Sequence, residues 1–273
     1  MSIVARIQEH YAELPPQARR AADAILDHAD DLALYSSAEL AEISGVSQAT
    51  LSRLYRQLGF SSFAEVRDEA RLLRGRGVPL DRADHPVALR EHLEADVANV
   101  RRCLEGLDPD DLATAVRHLA HDRRVAIIGT RNSYPVALHL RQQLIQVRNR
   151  IDLLPLAGQT LGEDITDLGE GDTAVLIGFR RRRRDFPRIL DACRASGAFV
   201  ILIADTAARR YASRTAVWFS CPLDAPGAFD SYAAAMALVA LLSSTVATEL
   251  GDAGRRRVTR VAGTYEALDE LDT

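Results

Sequence analysis

Five consecutive arginines, Arg180 to Arg184, form the densest cluster of charge in this 273-residue sequence. They follow the apolar run DTAVLIGF and precede Asp185 and Pro187, two residues suited to the start of a helix. Guanidinium groups bind phosphates and carboxylates through paired N–H donors. The run therefore predicts an anion-binding loop in which Arg180 and Arg181 contact the ligand. A solvated surface loop and contact with DNA remain as alternatives.

Two further segments have polar side chains where a ligand could bind. The segment GTRNS, residues 129–133, joins an apolar run to a predicted helix, and a helix N-terminus offers free N–H groups to an anion. We expect Thr130, Arg131 and Ser133 to contact the ligand there, with a plain helix cap as the alternative. Asp230 and Ser231 precede the last long apolar segment, where they could cap a helix or bind a sugar hydroxyl.

Residues 36–60, SSAELAEISGVSQATLSRLYRQLGF, predict two short helices joined by a tight turn. Leu40, Ala41 and Ile43 give the first helix an apolar face, and Gly45 ends it by allowing positive φ. The second helix begins after Ser47, and its predicted buried face consists of Ala49, Leu51, Leu54 and Leu58.

The outward side chains of that second helix suit base edges and phosphates, and the spacing is typical of a helix-turn-helix. An ordinary solvated helical hairpin would present a similar polar face. We assign DNA contact to Ser47, Gln48, Thr50, Ser52, Arg53 and Arg56.

The second half of the chain changes its periodicity from Arg124 onward. Five short apolar runs occur there, with helical segments between most of them: RVAIIG, IDLLPL, DTAVLIGF, AFVILIAD and AVWFSCP. Continuous rather than alternating hydrophobicity indicates strands buried on both faces, as in a parallel sheet covered by helices. We predict an all-α domain followed by an α/β domain with a five-stranded, mostly parallel, doubly wound sheet.

The predicted boundaries follow the Gly- and Pro-rich segment of residues 75–86. We assign residues 1–76 to the helical domain, 77–107 to a linker and connecting helix, 108–250 to the α/β domain, and 251–273 to a helical tail. The connecting helix has an apolar stripe that could dock on the following domain, pair with another subunit or face a core: Leu89, Leu93, Val97, Val100 and Leu104.

Composition excludes several classes of function. All 34 basic residues are arginines, so no lysine can form a Schiff base. Cys103, Cys193 and Cys221 have neither metal-ligand nor disulfide spacing, and we expect buried thiols. No histidine cluster, catalytic triad or cofactor fingerprint is present, and we expect neither enzymatic activity nor a cofactor. The N-terminus lacks a signal-peptide pattern and the apolar segment near residue 240 suits a buried helix, which together predict a cytoplasmic protein.

The stretch AELAEISGVSQATLSRLYRQLGFSSFAEVR resembles the signature of the RpiR (MurR/RpiR) family of transcriptional regulators. The stretch RVAIIGTRNSYPVA is similar to the first strand and loop of a sugar isomerase (SIS) domain, with Ser133 at its ligand-binding serine. The resemblance implies a dimer that binds a phosphosugar. SIS domains usually have a Ser-rich phosphate loop after the third strand, where this chain has Ile177 to Arg184 instead.

We therefore expect a transcription factor that binds double-stranded operator DNA and an anionic effector, either a sugar phosphate or an organic acid. It would act as a homo-oligomer, a dimer or a tetramer, without contact to a membrane. A sugar-phosphate isomerase with a helical appendage is the alternative from the enzyme class. A pure dimerisation module with a vestigial pocket is a third hypothesis.

Overall fold

The computed structural model describes residues 3–27, 32, 35–76, 88–156, 158–180, 182–227 and 229–270. The chain divides into unit 1, Met1–Val78, and unit 2, Pro79–Thr273. Unit 1 is helical in its described part, and unit 2 combines helices with one sheet, as the sequence predicts. Most of the predicted linker, including residues 77–87, lies outside the described residues.

Unit 1 buries one apolar cluster, which contains Ile7, Ile25, Leu40, Leu51 and Leu54. Each of its helices contributes to this cluster through one face, because apolar residues recur at helical spacing. The helices are α1 Ile3–His10, α2 Pro16–Asp27, α3 Ser37–Ser44, α4 Gln48–Gln57 and α5 Phe63–Arg76.

Three local signals determine the turn between α3 and α4. Ser36 and Glu39 form a reciprocal capping box at the start of α3. Gly45 ends α3 with φ +62°, a left-handed conformation that glycine adopts without a Cβ clash. Ser47 caps α4 by accepting a hydrogen bond from the Thr50 N–H at 3.2 Å. These signals confirm the predicted helix–turn–helix geometry.

Two positions of the predicted buried faces are wrong. Ile43 is 45% exposed and Ala49 is exposed, whereas Ser44 and Tyr55 are buried. Ser44 and Tyr55 each lie four residues after a buried leucine, on the same helical face. Ser44 is tolerated there because its hydroxyl donates to the Leu40 carbonyl at 2.5 Å.

Unit 2 contains a five-stranded sheet in the order β2-β1-β3-β4-β5, and every described pairing is parallel. Each of the five predicted runs forms a strand. Because all the described pairings are parallel, the sheet is wholly parallel, where the sequence predicted a mostly parallel one. The strands are β1 Arg124–Gly129, β2 Ile151–Leu154, β3 Asp172–Gly178, β4 Phe199–Ala204 and β5 Val217–Ser220.

Helices cover both faces of the sheet, which explains the continuous hydrophobicity of its strands. Ile127 and Val175 belong to the core on one face, whereas Ile128 and Leu176 belong to the core on the other. The covering helices are α6 Leu89–Glu105, α7 Pro109–His121, α8 Tyr134–Val147, α9 Gly162–Thr166, α10 Phe186–Ala195 and α11 Ala233–Leu268.

The connecting helix α6 packs against the rest of unit 2 with a face that the apolar stripe did not predict. Asn99 and Cys103 are its buried residues, and the Cys103 Sγ lies 3.8 Å from that of Cys221. All three cysteines are buried and free, as expected. Leu89, Leu93 and Val97 are exposed, so this part of the stripe does not face the core of unit 2.

Helix α11 is the one described helix that is long and apolar enough to span a membrane. Its first half packs in the core of unit 2, where Leu238, Val239, Leu242 and Val246 are fully buried. Gly251 interrupts it with non-helical backbone angles, close to the predicted start of the tail. The first half therefore packs as a core helix.

Asp172 at the start of β3 is fully buried and accepts hydrogen bonds from Arg123 Nε at 2.9 Å, Arg123 Nη2 at 2.6 Å and the Gly169 N–H at 3.1 Å. The Arg123 hydrogen bonds lower the pKa of this carboxyl. Its contribution to stability is therefore present above pH ~4, the ordinary Asp pKa, and is lost as the pH falls through the lower folded-state pKa.

We expect Asp172→Asn to lower the free energy of unfolding of unit 2 at pH 7 by about 2 kcal/mol. The loss of stability in acid should also be shallower in this variant, because the titrating group is absent. Urea titrations followed by Trp218 fluorescence at pH 7 and below pH 4 measure both effects, since this single tryptophan lies on β5. Parallel pH profiles for the variant and the wild type would contradict the assignment.

Candidate functional site

Helix α4 presents the side chains that the sequence predicts for DNA contact. Gln48, Arg53 and Arg56 are exposed, whereas Thr50 and Ser52 are partly exposed. The opposite face packs Leu51, Leu54 and Tyr55 into the core of unit 1. The helix is thus fixed by its buried face, and its polar face is accessible.

Not every predicted hydroxyl is equally available. Ser47 Oγ caps the helix and lies 3.0 Å from Thr50 Oγ1, so these two hydroxyls already interact. Arg53 Nε donates to the Ala49 carbonyl at 3.3 Å, which directs the side chain along the helix and leaves its terminal N–H groups for a partner.

Arg20 is a candidate contact that sequence analysis missed. A Cβ built on Gly45 would lie 2.8 Å from Arg20 Nη2, so this guanidinium lies against the turn between α3 and α4. Arg20 is exposed on α2. Only the tertiary packing of α2 beside the turn reveals it, because the two residues are 25 positions apart in the sequence.

In unit 2 the strand order reverses direction between β1 and β3. In doubly wound sheets this point leaves a crevice beyond the carboxyl ends of the two strands, where ligands collect. The segments that follow β1 and β3 contain the predicted ligand residues Thr130, Arg131, Ser133 and Arg180. Topology thus brings two of the three predicted segments to one edge. Arg181 lies outside the described residues.

Ser133 is 5% exposed, and its Oγ accepts a hydrogen bond from the Phe179 N–H at 3.0 Å. The hydroxyl therefore joins the segment after β1 to the segment after β3 and retains its own proton as a donor. Gly129 permits this approach, because an added Cβ would lie 2.9 Å from the Ser133 carbonyl oxygen. Arg131 is exposed and Thr130 is partly exposed.

Arg180 is held by two carboxylates from the segment between β5 and α11. Its Nη1 lies 2.8 Å from Asp230 Oδ1, and its Nη2 lies 3.5 Å from Asp224 Oδ1. Asp224 also accepts a hydrogen bond from Arg102 of α6 at 2.6 Å. Arg180 and Asp230, both predicted ligand residues, are therefore in direct contact.

The remaining described arginines of the run have different surroundings. Arg182 forms a buried ion pair with Asp205 at 2.6 Å, with side-chain exposures of 8% and 3%. Arg183 pairs with Asp185 at the surface, and Arg184 is exposed. Carboxylates of the chain itself therefore pair with Arg180, Arg182 and Arg183.

This compensation changes the electrostatics of the site. Arg102, Arg180 and Arg182 have three positive charges, and Asp205, Asp224 and Asp230 have three negative charges. An acidic ligand would therefore have to replace a carboxylate at a guanidinium rather than enter an open cationic pocket. Asp205 and Asp224 gave no signal in the sequence, since neither lies beside the arginine run.

Ser231 and Tyr232 complete the segment before α11. Ser231 donates a hydrogen bond to Asp96 of α6, and its hydroxyl accepts the Ala233 N–H at 3.3 Å. The N-cap residue of α11 is Tyr232 rather than Asp230 or Ser231, and its side chain makes no cap; the Ser231 hydroxyl binds the first N–H of the helix from one residue earlier. Burial, and then the charge of Asp230, raise the pKa of the Tyr232 phenol.

The part of the chain that the structure describes contains no group of three or more His, Cys, Asp and Glu side chains arranged to hold a metal ion. His118 is 3.0 Å from Asp122 and stacks on Phe199 at a ring-centroid distance of 3.6 Å. His121 contacts Glu249 instead. The two histidines thus have separate partners.

Comparison with known families matches both halves of the chain. A profile described as the helix-turn-helix domain of the rpiR family matches residues 1–70. A profile of the SIS domain matches residues 118–247. The first match contains α3 and α4, and the second contains the sheet with both segments at its switch point.

Individual relatives agree with these matches. The HTH-type transcriptional regulator HexR from Pseudomonas aeruginosa is 26% identical over 207 residues, which cover 73% of this chain and 72% of HexR. The sugar isomerase domain of an RpiR transcription factor from Sphaerobacter thermophilus has a TM-score of 0.58 at 21% identity, over 67% of this chain and 98% of that one. The Vibrio vulnificus NanR protein complexed with ManNAc-6P has a TM-score of 0.61 at 17% identity, over 97% of this chain and 98% of NanR.

Proposed function

The chain belongs to the RpiR family of helix-turn-helix and SIS-domain transcriptional regulators, and we propose that its SIS domain senses an acidic metabolite, either a sugar phosphate or an organic acid. One observation carries the proposal. The Ser133 hydroxyl accepts the N–H of Phe179, the residue before Arg180, at the switch point of a SIS-type sheet, in a chain that also contains a capped helix with an exposed polar face.

For the DNA-binding half, we propose that α4 enters the major groove of an operator. Gln48 can donate one hydrogen bond to an adenine edge and accept another from it, Arg53 can donate two to a guanine, and we assign Arg56 to a phosphate. Arg20, beside the turn, adds a second phosphate contact. The remaining proposed contacts are Ser47, Thr50 and Ser52.

Arg56→Ala is expected to weaken binding of any duplex to a similar extent and to lower the salt dependence. Loss of one phosphate contact reduces the slope of log K against log salt by about 0.9. Fluorescence anisotropy between about 50 and 200 mM salt on two unrelated duplexes measures the slope. Glu42→Ala is a matched control on the exposed surface of α3. An unchanged slope would contradict the phosphate contact.

For the ligand-binding half, the proposed contacts are Thr130, Arg131, Ser133, Arg180, Arg181, Asp230 and Ser231. Ser133 retains a proton to donate, and Arg180 offers a partly buried guanidinium. The site differs from a Ser-rich phosphate cradle, so organic acids remain in the proposed class beside sugar phosphates. ManNAc-6P, present in the NanR complex, is one compound to test.

A thermal-shift screen of phosphorylated sugars and organic acids tests the effector class. A compound at 100 times its dissociation constant should stabilise the protein by about 2.7 kcal/mol. Arg180→Gln should abolish the shift of each compound found. Arg214→Gln is the matched control, since Arg214 pairs with Asp191 at the surface. A shift that survives Arg180→Gln would contradict the assignment.

We propose that the protein regulates rather than catalyses. Asp205, Asp224 and Asp230 each accept a guanidinium partner, so none is placed as an independent proton acceptor for isomerisation. Turnover of an aldose or ketose phosphate by the purified protein would favour the isomerase alternative.

We also propose that the protein is homo-oligomeric and cytoplasmic. Leu89 and Leu93 of α6 are 87% and 61% exposed, and Val258 and Leu268 of α11 are exposed as well. Apolar helical stripes of this kind usually pack against a partner, and a dimer or tetramer would provide one from a second copy. Paired copies of α4 would then contact a palindromic operator.

A further inference from the structure

The carboxylate of Asp224 lies between two guanidinium groups that belong to different elements of unit 2. Its Oδ2 accepts from Arg102 Nη2 of α6 at 2.6 Å, and its Oδ1 lies 3.5 Å from Arg180 Nη2, in the segment after β3. Guanidinium donors bind carboxylates and phosphates with the same geometry. Asp224 therefore occupies the position that the acid group of a small molecule would take between these two arginines.

The exposed fractions of the side chains distinguish Asp224, which a ligand can displace, from Asp230, which stays bound to Arg180. The side chains of Asp224 and Arg102 are 43% and 55% exposed, so their pair is screened by solvent and contributes little to stability. Arg180 and Asp230 are 19% and 23% exposed and lie closer together, at 2.8 Å. An incoming anion can thus displace Asp224 at low cost, while Asp230 continues to orient Arg180.

Asn99 keeps Arg102 in place when the Asp224 side chain moves. Asn99 is fully buried, and its Nδ2 donates to the backbone carbonyl of Asp224 at 2.6 Å. Its Oδ1 accepts from Arg102 Nη2 at 2.7 Å. These contacts do not involve the Asp224 carboxylate, so Arg102 remains positioned after the exchange, as Arg180 does through Asp230.

We propose that the acid group of the effector binds between Arg102 and Arg180 in place of the Asp224 carboxylate. This inference rests on the proposed acidic effector at Arg180 and extends its site to α6, the first helix of unit 2 in chain order. The chemical class is a molecule with one terminal phosphate or carboxylate group. Arg102 becomes a ligand-binding residue, and Asp224 becomes an internal competitor that sets the affinity.

Titration with inorganic phosphate at constant ionic strength tests the exchange, followed by the thermal shift of the full-length protein. Asp224→Asn keeps the shape of the side chain and removes its charge, so we expect phosphate to bind at least 5-fold more tightly than to the wild type. Arg102→Gln should weaken phosphate binding at least 10-fold. Arg101→Gln is the matched control, because Arg101 lies on the same helix and pairs with Glu105 at the surface.

The outcomes separate this inference from the proposed function. Phosphate binding that depends on Arg180 but is unchanged by Arg102→Gln and Asp224→Asn would overturn the exchange and leave the effector proposal intact. Binding that is indifferent to Arg180→Gln would overturn both, whereas the absence of phosphate binding in the wild type and in Asp224→Asn would overturn the exchange alone. Melting curves without phosphate, compared among all variants, show whether each one is folded.

Discussion

Replacing Asp205 with alanine is expected to lower the free energy of unfolding of unit 2 by about 3–5 kcal/mol. Its partner Arg182 is 8% exposed, so the substitution would leave a buried guanidinium without its carboxylate. The same carboxylate also accepts the Ala207 N–H at 2.8 Å and caps the following turn. Urea unfolding followed by Trp218 fluorescence reports unit 2 without interference from unit 1.

Two variants serve as controls for this prediction. Asp191→Ala removes an exposed carboxylate whose pairing distance to Arg214 is 3.4 Å, and it should cost at most about 1 kcal/mol. The double variant Arg182→Met with Asp205→Ala removes both charges and should recover much of the lost stability. An Asp205→Ala protein as stable as the Asp191→Ala protein would show that the buried pair contributes little.

Replacing Arg53 with alanine is expected to weaken specific DNA binding by about 1–3 kcal/mol per half-site, a loss of about 5- to 150-fold. The reason is the loss of a planar pair of donors from the exposed face of α4. Because the contact is made to a base, discrimination between the operator and an unrelated duplex should fall as well. Anisotropy titrations against both duplexes at one salt concentration measure the two effects.

Arg53→Lys distinguishes geometry from charge. Lysine retains the positive charge but lacks the paired donors, so non-specific binding should be preserved and discrimination reduced. Arg53→Ala should leave the melting of unit 1 nearly unchanged, since the side chain is exposed. Equal losses on both duplexes would instead assign Arg53 to a phosphate.

Local signals explain why the sequence predicts the elements well. Ser36, Gly45 and Ser47 act on backbone groups within a few residues, and each of the five runs consists mainly of apolar or β-branched residues, as expected for a buried strand. The two errors in the helix-turn-helix, Ile43 and Ala49, lie on helices of eight and ten residues. An apolar pattern over so few turns allows more than one orientation of the buried face.

The partners of the arginines could not be predicted, because they are brought together only by the fold. Asp224 lies 122 residues from Arg102, and Asp205 lies 23 residues from Arg182. The sequence shows the five guanidiniums, whereas the carboxylates that pair with Arg180 and Arg182 come from two other segments, one after β4 and one between β5 and α11. Asn99 was missed for a related reason, since a polar residue on an amphipathic helix is expected to face solvent.

These contacts give the arginine run two roles instead of one. Arg182 forms a buried ion pair with Asp205 in the sheet domain, and Arg180 remains the proposed effector contact, in the segment joined to Ser133. A chain that compensates its own cations can respond to an acidic ligand without a large net charge, in agreement with the overall charge of −4.

Selection of random-sequence duplexes by the full-length protein, at about 150 mM salt, tests the central claim that α4 gives this chain sequence-specific DNA binding. We expect the recovered duplexes to share an inverted repeat with half-sites about 10 base pairs apart or a multiple of that spacing. A protein with Gln48→Ala and Arg53→Ala should recover no such repeat, whereas the Arg101→Gln protein should recover the same one. Recovery of no shared sequence by the wild type, or of the same repeat by the Gln48→Ala and Arg53→Ala protein, would contradict the account.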